Sequence, residues 1–121
     1  MEALAAGNAI RLRRAALKRD IVAGRTSVQT VLREPIPDWL ECMSIGALLD
    51  AKPRLFKSKI TQLVAEVGAT ETTRLLGLGI RQRALLIHRL NEYDAARRRD
   101  ASRRRRQRGA EVVRRTLGAE A

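Results

Sequence analysis

Aromatic side chains are nearly absent from this sequence and make up 2% of its 121 residues. Any hydrophobic core must therefore be built from Leu, Ile, Val and Ala, a composition that suits interleaved helices. The sequence has no run of alternating β-branched residues, the pattern that would indicate a strand. Cysteine occurs once, at Cys42. An intramolecular disulfide is therefore impossible, and a secreted mini-protein held by disulfides is excluded.

Membrane and catalytic motifs are also lacking. The N-terminal stretch does not have the basic-then-apolar order of a signal peptide, and no apolar run approaches membrane-spanning length, so we expect a cytoplasmic protein. His88 has no second His and no Cys at ligand spacing, which argues against a metal site. The sequence offers no Ser/His/Asp set, no isolated carboxylate pair and no phosphate loop with a lysine and a hydroxyl. We therefore expect no enzyme, no cofactor, no membrane partner and no small-molecule substrate.

Positive charge is what the sequence has in excess. Its 25 Lys and Arg against 13 Asp and Glu give a net charge of +12, which indicates a polyanionic partner, with nucleic acid ahead of an anionic membrane surface. Residues 1–94 hold 15 basic and 10 acidic residues, whereas residues 95–121 hold 10 and 3. We therefore predict a helical domain over 1–94, followed by an arginine-rich extension over 95–121.

The helical pattern begins near the N-terminus. Asn8 is a suitable N-cap for a long first helix that ends near Ala23, where Gly24 supplies the stop. Apolar residues at helical spacing form a stripe along this helix. Three basic residues lie beside the stripe: Arg11, Arg14 and Lys18.

Shorter helices follow with short connections. Ser27 is predicted to cap a lid helix over 28–33, and two prolines in 34–39 prevent its continuation. Further helices are predicted over 45–51 with Ser44 as cap, over 57–67, and as a single turn over 71–76 with Thr70 as cap. The last helix begins after 77–79 and continues as a solvated basic extension, with a break near Gly109 and a short terminal helix over 110–117. The predicted fold class is all-α.

The stretch "GLGIRQR" places a glycine pair directly before a helix. Such a start leaves the first helical N–H groups unpaired, so that a phosphate can bind there beside Arg81 and Arg83. A second helix start carries Lys57 and Lys59, and the two starts together predict a phosphate clamp that grips a duplex backbone. The alternative reading is an ordinary turn followed by solvated arginines.

A set of residues between Met43 and Leu90 has the spacing of a known family: Met43, "ALL" at 47–49, Pro53, Lys57, Lys59, Glu66, Arg74, "GLG" at 77–79 and "RQR" at 81–83. With these residues the chain resembles the integration host factors of mycobacteria and their actinobacterial relatives. Together with 24–32, the likeness covers about two thirds of the chain. The chain departs from the family in having Leu55 and Phe56 where a glycine is usual, and Thr73 and Leu76 where arginines are usual.

The resemblance implies a helix-two-turn-helix core over 43–93 that is related to a ribosomal-protein domain. It further implies a nucleoid protein that binds double-stranded DNA through the backbone, bends or compacts it, and assists an integrase or recombinase. The contact strip carried over from the family is Arg74, Gly77, Leu78, Gly79, Arg81, Gln82 and Arg83. The candidate DNA contacts also include Lys57, Lys59, Arg11, Arg14, Lys18 and Ser27.

The arginine-rich extension lies outside the usual ending of this family. Its density of arginine predicts phosphate neutralisation, and arginine also suits insertion into a narrow minor groove. The candidate contacts here are Arg97, Arg98, Arg103, Arg104 and Arg105. Two alternatives stay open: an RNA-binding or ribosome-associated protein, and an adaptor that docks a protein partner through the extension.

Overall fold

A computed structural model of the chain describes the backbone of residues 2–120 and the side chains of residues 5–118. Within these residues the regular structure is helical, which confirms the predicted all-α class. The helices are α1 (Glu2–Val22), α2 (Val28–Arg33), α3 (Ile45–Asp50), α4 (Lys57–Glu66) and α5 (Ile80–Glu120), with two 3-10 turns at Asp38–Leu40 and Leu75–Gly77. The chain divides into two units, Met1–Arg89 and Leu90–Ala121.

Helix α1 starts earlier than predicted. It begins at Glu2, so Asn8 lies inside the helix and is not its cap. The reason is that Glu, Ala and Leu upstream of Asn8 are strong helix formers and extend the helix toward the N-terminus. Its end agrees with the prediction, because Gly24 adopts the left-handed conformation (φ +79°) and the Arg25 N–H donates to Asp20 O at 2.9 Å.

The predicted caps of the next two helices are confirmed. Ser27 Oγ accepts a hydrogen bond from the Thr30 N–H at 3.1 Å, and Ser44 Oγ accepts one from the Ala47 N–H at 3.2 Å. Each hydroxyl satisfies an N–H group that the first helical turn cannot pair. Helix α4 also lies where predicted, although no side chain caps its start.

The segment after α4 differs from its prediction. Thr70 does not cap a helical turn, because residues 71–76 instead pair through their main chain with residues 41–46. We call this contact the extended pairing, after the antiparallel bridge between Ser44 and Arg74 at its centre. Four N–H groups make this pairing: Ile45 to Thr73 O (2.8 Å), Gly46 to Glu71 O (2.9 Å), Leu75 to Met43 O (2.9 Å) and Leu76 to Glu41 O (3.0 Å). These partners are about thirty residues away along the chain, so local helix propensity could not show them.

The core of the first unit is aliphatic, as the composition requires. Trp39 is half-buried and Phe56 is 70% exposed, so neither of these aromatic side chains is at its centre. Side chains with 1% exposure or less come from four helices and from both 3-10 turns: Val28, Leu32, Leu40, Ile45, Leu48, Leu49, Leu63, Leu75 and Leu86. This core joins α2, α3, α4, both 3-10 turns and the start of α5, and Ile21 of α1 is buried as well.

Helix α5 is longer than predicted, because it does not break at Gly109. A single glycine costs a helix about 1 kcal/mol relative to alanine, and good helix formers flank this one. An ion pair one turn later, from Arg115 to Glu111 at 2.9 Å, adds i, i+4 support. None of the helices in the described part of the chain has the length and apolarity needed to cross a bilayer.

The close pairing of 41–46 with 71–76 depends on Gly46. A Cβ atom at this position would lie 2.8 Å from Glu71 O, a main-chain atom that cannot move aside easily. We predict that Gly46→Ala lowers the free energy of unfolding by about 1–3 kcal/mol, as overpacking typically does. The matched control is Gly7→Ala in α1, where a Cβ meets no atom within 4 Å and alanine should add about 0.5–1 kcal/mol. Urea unfolding of both variants measures this, and equal midpoints would contradict the role of Gly46.

Candidate nucleic-acid interface

Three of the predicted basic residues meet at one open cleft of about 310 Å³. The cleft is formed by one face of α1, the start of α3 and the two-turn segment 71–76. Its lining residues are Arg14, Lys18, Cys42, Met43, Ser44, Ala47, Thr72 and Arg74. We call this set the basic cleft.

Helix α1 supplies two of the three cations. Arg14 and Lys18 are four residues apart, so they lie on the same face one turn from each other. Arg14 is half-buried, and its Nε donates to Trp39 O at 3.1 Å, which fixes the stem of the side chain at the cleft wall. Lys18 is exposed and keeps its ammonium group in solvent.

Arg74 enters the cleft from the opposite side because of the extended pairing. Its main chain forms a bridge with Ser44, and its Nη1 donates to Cys42 O at 3.2 Å. The guanidinium is exposed and retains further donors for a ligand. No carboxylate is among the residues that line the cleft, so three positive charges share one space. Such a surface is suited to a phosphate.

The glycine turn before α5 differs from its predicted role. Neither Gly77 nor Gly79 is in the left-handed conformation, which in the first unit is found at Gly24, Gly68 and Arg54. The Gly79 N–H, which lies just before the helix, donates to Gln82 Oε1 at 2.9 Å.

The first turn of α5 has the unpaired N–H groups that the glycine pair predicts. The N–H groups of Ile80, Arg81 and Gln82 have no hydrogen-bond partner among the described residues. They are the part of the helix start that stays open to an anion, and the Arg81 side chain is exposed beside them.

Gln82 and Arg83 use their donors inside the fold. Gln82 Nε2 donates to Val67 O at 3.2 Å, so that Gln82 ties the end of α4 to the start of α5. Arg83 donates to Leu32 O through Nε (2.9 Å) and Nη2 (2.7 Å), and to Glu34 O through Nη2 (2.7 Å). These carbonyls belong to the last turn of α2 and the residue after it, where the helix leaves acceptors unpaired. Both side chains therefore hold the predicted contact strip in place by binding main-chain carbonyls next to it.

Leu78 was also predicted to be part of the contact strip, but its side chain is buried, with 6% exposure. It packs as a core residue because Leu75 and Leu78, three apart, turn to the same side of the 3-10 turn. A DNA contact at Leu78 therefore stays a prediction for its main chain only.

The other predicted residues lie outside the basic cleft. Arg11 is exposed on α1, Lys57 is exposed at the start of α4, and Lys59 Nζ donates to Gln62 Oε1 at 3.4 Å. Ser27 Oγ is occupied as the cap of α2. The five predicted residues of the extension are on α5 in the second unit: Arg97, Arg98, Arg103, Arg104 and Arg105.

Sequence reasoning missed two features of the cleft. Thr72 and Cys42 line it, but they carry no motif, and only the extended pairing brings them beside α1. Ser44 was recognised as a helix cap, a local signal, and not as part of a ligand surface. Within residues 2–120, no group of three or more His, Cys, Asp or Glu side chains is placed to hold a metal ion.

Comparison with known proteins finds a matching family model and similar proteins from two mycobacteria. Residues 20–90 match the family model of the S13-like H2TH domain. A protein called Integration host factor from Mycolicibacterium smegmatis is 36% identical over 91 residues, which cover 74% of this chain and 87% of the relative. One of the same name from Mycobacterium tuberculosis is 38% identical over 86 residues, covering 70% and 82%.

A solved structure is similar in fold. It is described as sIHF bound to an 8 bp palindromic DNA, and it is 29% identical with a TM-score of 0.62. The match covers 74% of this chain and 98% of the other.

The two arginines of "RQR" differ in their surroundings, which allows a paired test. We predict that Arg83→Ala lowers the free energy of unfolding by about 1.5–3 kcal/mol, because hydrogen bonds from a charged donor to two carbonyls are lost. Arg81→Ala removes the same charge from an exposed position and should leave stability within about 0.5 kcal/mol. Urea midpoints of the two variants measure the difference. If Arg83→Ala is as stable as Arg81→Ala, the positioning role of Arg83 is wrong.

Proposed function

This chain belongs to the family of integration host factors with an S13-like H2TH domain, and on that premise we propose that it is an architectural protein that binds double-stranded DNA. The observation that carries the proposal is the basic cleft, where Arg14, Lys18 and Arg74 converge without a carboxylate among the lining residues. A structural relative is described as bound to DNA, which supports the same class of ligand here.

The proposed contacts go chiefly to phosphates. Arg74 is the strongest candidate, since its planar guanidinium can donate two parallel hydrogen bonds to phosphate oxygens. Lys18 adds a mobile point charge, and Arg14 contributes charge from the cleft wall. Arg81, with the open N–H groups at the start of α5, forms a second contact. Arg11, Lys57 and Lys59 add positive potential around these groups.

Contacts to the DNA backbone predict two properties: binding to many different DNA sequences, and bending of the duplex. Phosphate contacts set the position of a protein on the duplex but do not read bases. Bending a site by 40–90° costs on the order of 1–6 kcal/mol, and the further phosphates that a bent duplex brings within reach repay it. We therefore infer that the protein bends or compacts DNA in the nucleoid. A role beside a recombinase fits the name that both relatives carry.

A second candidate function is binding to structured RNA, which the description of the family model as S13-like favours. The same cationic surface could hold RNA phosphates. Competition between a DNA duplex and a folded RNA of equal length at one salt concentration separates the two functions. Preference for RNA by more than tenfold would replace DNA as the ligand.

The basic cleft generates a direct test. We predict that Lys18→Gln with Arg74→Gln weakens binding to a random-sequence duplex and makes the slope of log affinity against log salt shallower by about two units, at roughly 0.9 per phosphate contact. The control is Arg13→Gln with Arg19→Gln, which removes two exposed charges from other faces of α1. Fluorescence anisotropy across a salt series gives both slopes. Equal slopes for the two double variants would remove the cleft from the interface.

The second prediction concerns how strongly the protein prefers one DNA sequence over another. Among the polar side chains of the strip, the amide of Gln82 is engaged within the fold, which leaves few groups for paired contacts to base edges. We predict less than about a hundredfold preference among random duplexes, below the range of specific binders. Selection from a random library followed by competition binding measures this ratio. Recovery of one motif with a larger ratio would show that base edges are read.

A further inference from the structure

The second unit carries a dense positive charge that the family match does not include. The family model ends at residue 90, and the solved relative, covered over 98% of its length, matches 74% of this chain. Residues 97–108 of α5, which we call the arginine helix, contain eight arginines and one acidic residue, Asp100. Twelve helical residues extend about 18 Å at 1.5 Å per residue.

The arginines surround the helix. At 100° per residue they form three rows: Arg97, Arg104 and Arg108; Arg98 and Arg105; and Arg99, Arg103 and Arg106. No apolar face is left that could enter a bilayer or pack on a partner helix. All eight except Arg97 are exposed, and Arg97 lies over the Tyr93 ring at 5.7 Å.

Most of this charge is uncompensated. Arg103 pairs with Asp100 at 3.1 Å. Six others have no ion-pair or hydrogen-bond partner among the described residues: Arg98, Arg99, Arg104, Arg105, Arg106 and Arg108. Arg99 and Arg103, like Arg104 and Arg108, are four apart, and such like-charged pairs destabilise a helix. A polyanion that neutralises them stabilises the helical form.

We propose that the arginine helix is a second DNA-binding element and lies in the major groove of the duplex; this rests on the proposed function. The major groove is about 12 Å wide and admits an α-helix, whereas the minor groove is about 6 Å wide. A helix with side chains is about 10–12 Å across. The helical conformation therefore revises the expectation of minor-groove insertion.

The three rows fit the three surfaces that a helix meets in this groove. Two rows face the phosphates on either wall, and the third faces the base edges, where arginine can donate to guanine. A furrow of about 520 Å³ runs between two rows, floored by Ala95 and Ser102 and flanked by Arg98, Arg99, Arg103 and Arg106. These small side chains let the flanking arginines spread toward opposite walls.

The first test neutralises charge in the full chain. The six-glutamine variant carries Arg98→Gln, Arg99→Gln, Arg104→Gln, Arg105→Gln, Arg106→Gln and Arg108→Gln. It keeps helix propensity, since Gln and Arg are nearly equal. We expect the salt slope on duplex DNA to become shallower by about three units or more, at roughly 0.9 per contact. On duplex RNA of the same sequence the change should be much smaller, because the A-form major groove is too deep and narrow for side chains to read.

The second test separates helix from charge. Ser102→Pro keeps every arginine but breaks the helix at its centre, and Ser102→Ala is the matched control. We expect Ser102→Pro to lose at least half as much binding free energy for duplex DNA as the six-glutamine variant loses, whereas Ser102→Ala keeps the wild-type affinity.

A third test blocks one groove of the DNA at a time and uses the wild-type protein. Bulky glucosyl groups on cytosines in the major groove should weaken binding, whereas netropsin in the minor groove should not compete with the arginine helix.

The outcomes distinguish this inference from the proposed function. An unchanged salt slope for the six-glutamine variant, or full affinity for Ser102→Pro, overturns the arginine helix as a groove-binding element. Competition by netropsin alone, or equal loss of slope on RNA, overturns the major-groove assignment. If Lys18→Gln with Arg74→Gln still weakens DNA binding in those cases, the proposed function stands. If wild-type protein shows no saturable binding to duplex DNA, the proposed function itself fails.

Discussion

The extended pairing between residues 41–46 and 71–76 is the contact on which the site depends. Its four main-chain hydrogen bonds hold the two-turn segment against the start of α3 and leave no room for a side chain at Gly46. The pairing brings Arg74 and Thr72 beside Ser44, and α1 closes the same space with Arg14 and Lys18. Without it, Arg74 would not share a ligand space with Arg14 and Lys18 of α1.

Two arginines of the first unit, Arg81 and Arg83, have different surroundings although they lie in one motif. Arg83 holds the end of α2 through three hydrogen bonds, whereas Arg81, two residues earlier, makes none with the described residues. A hydrogen-bonded guanidinium is held by carbonyls that have lost water, so its loss affects stability first. An exposed guanidinium has solvent as its partner, so its charge is available to a ligand at little cost. Burial and partners, more than position in a motif, separate the two arginines.

What could be predicted from sequence was local. The caps Ser27 and Ser44, the stop at Gly24 and the start of α5 each depend on neighbours within four residues, and all four are confirmed. The fold class and family likewise follow from residues that lie close in sequence. Thr70 and Thr73 bond to each other locally. The extended pairing was missed because main-chain groups of Glu71, Thr73, Leu75 and Leu76 have partners about thirty residues away. The roles of Gln82 and Arg83 were missed for the same reason, since their acceptors belong to α4 and α2.

Trp39 gives the site an optical property of its own. It is the single tryptophan of the chain, it is half-buried, and its carbonyl accepts the hydrogen bond from Arg14 that fixes the wall of the basic cleft. With one indole and one tyrosine in the sequence, the ultraviolet emission of the protein comes chiefly from a residue bonded to one arginine of the cleft wall. Displacement of the Arg14 side chain would break that bond. Trp39 is therefore an intrinsic probe of the Arg14 contact that needs no chemical label.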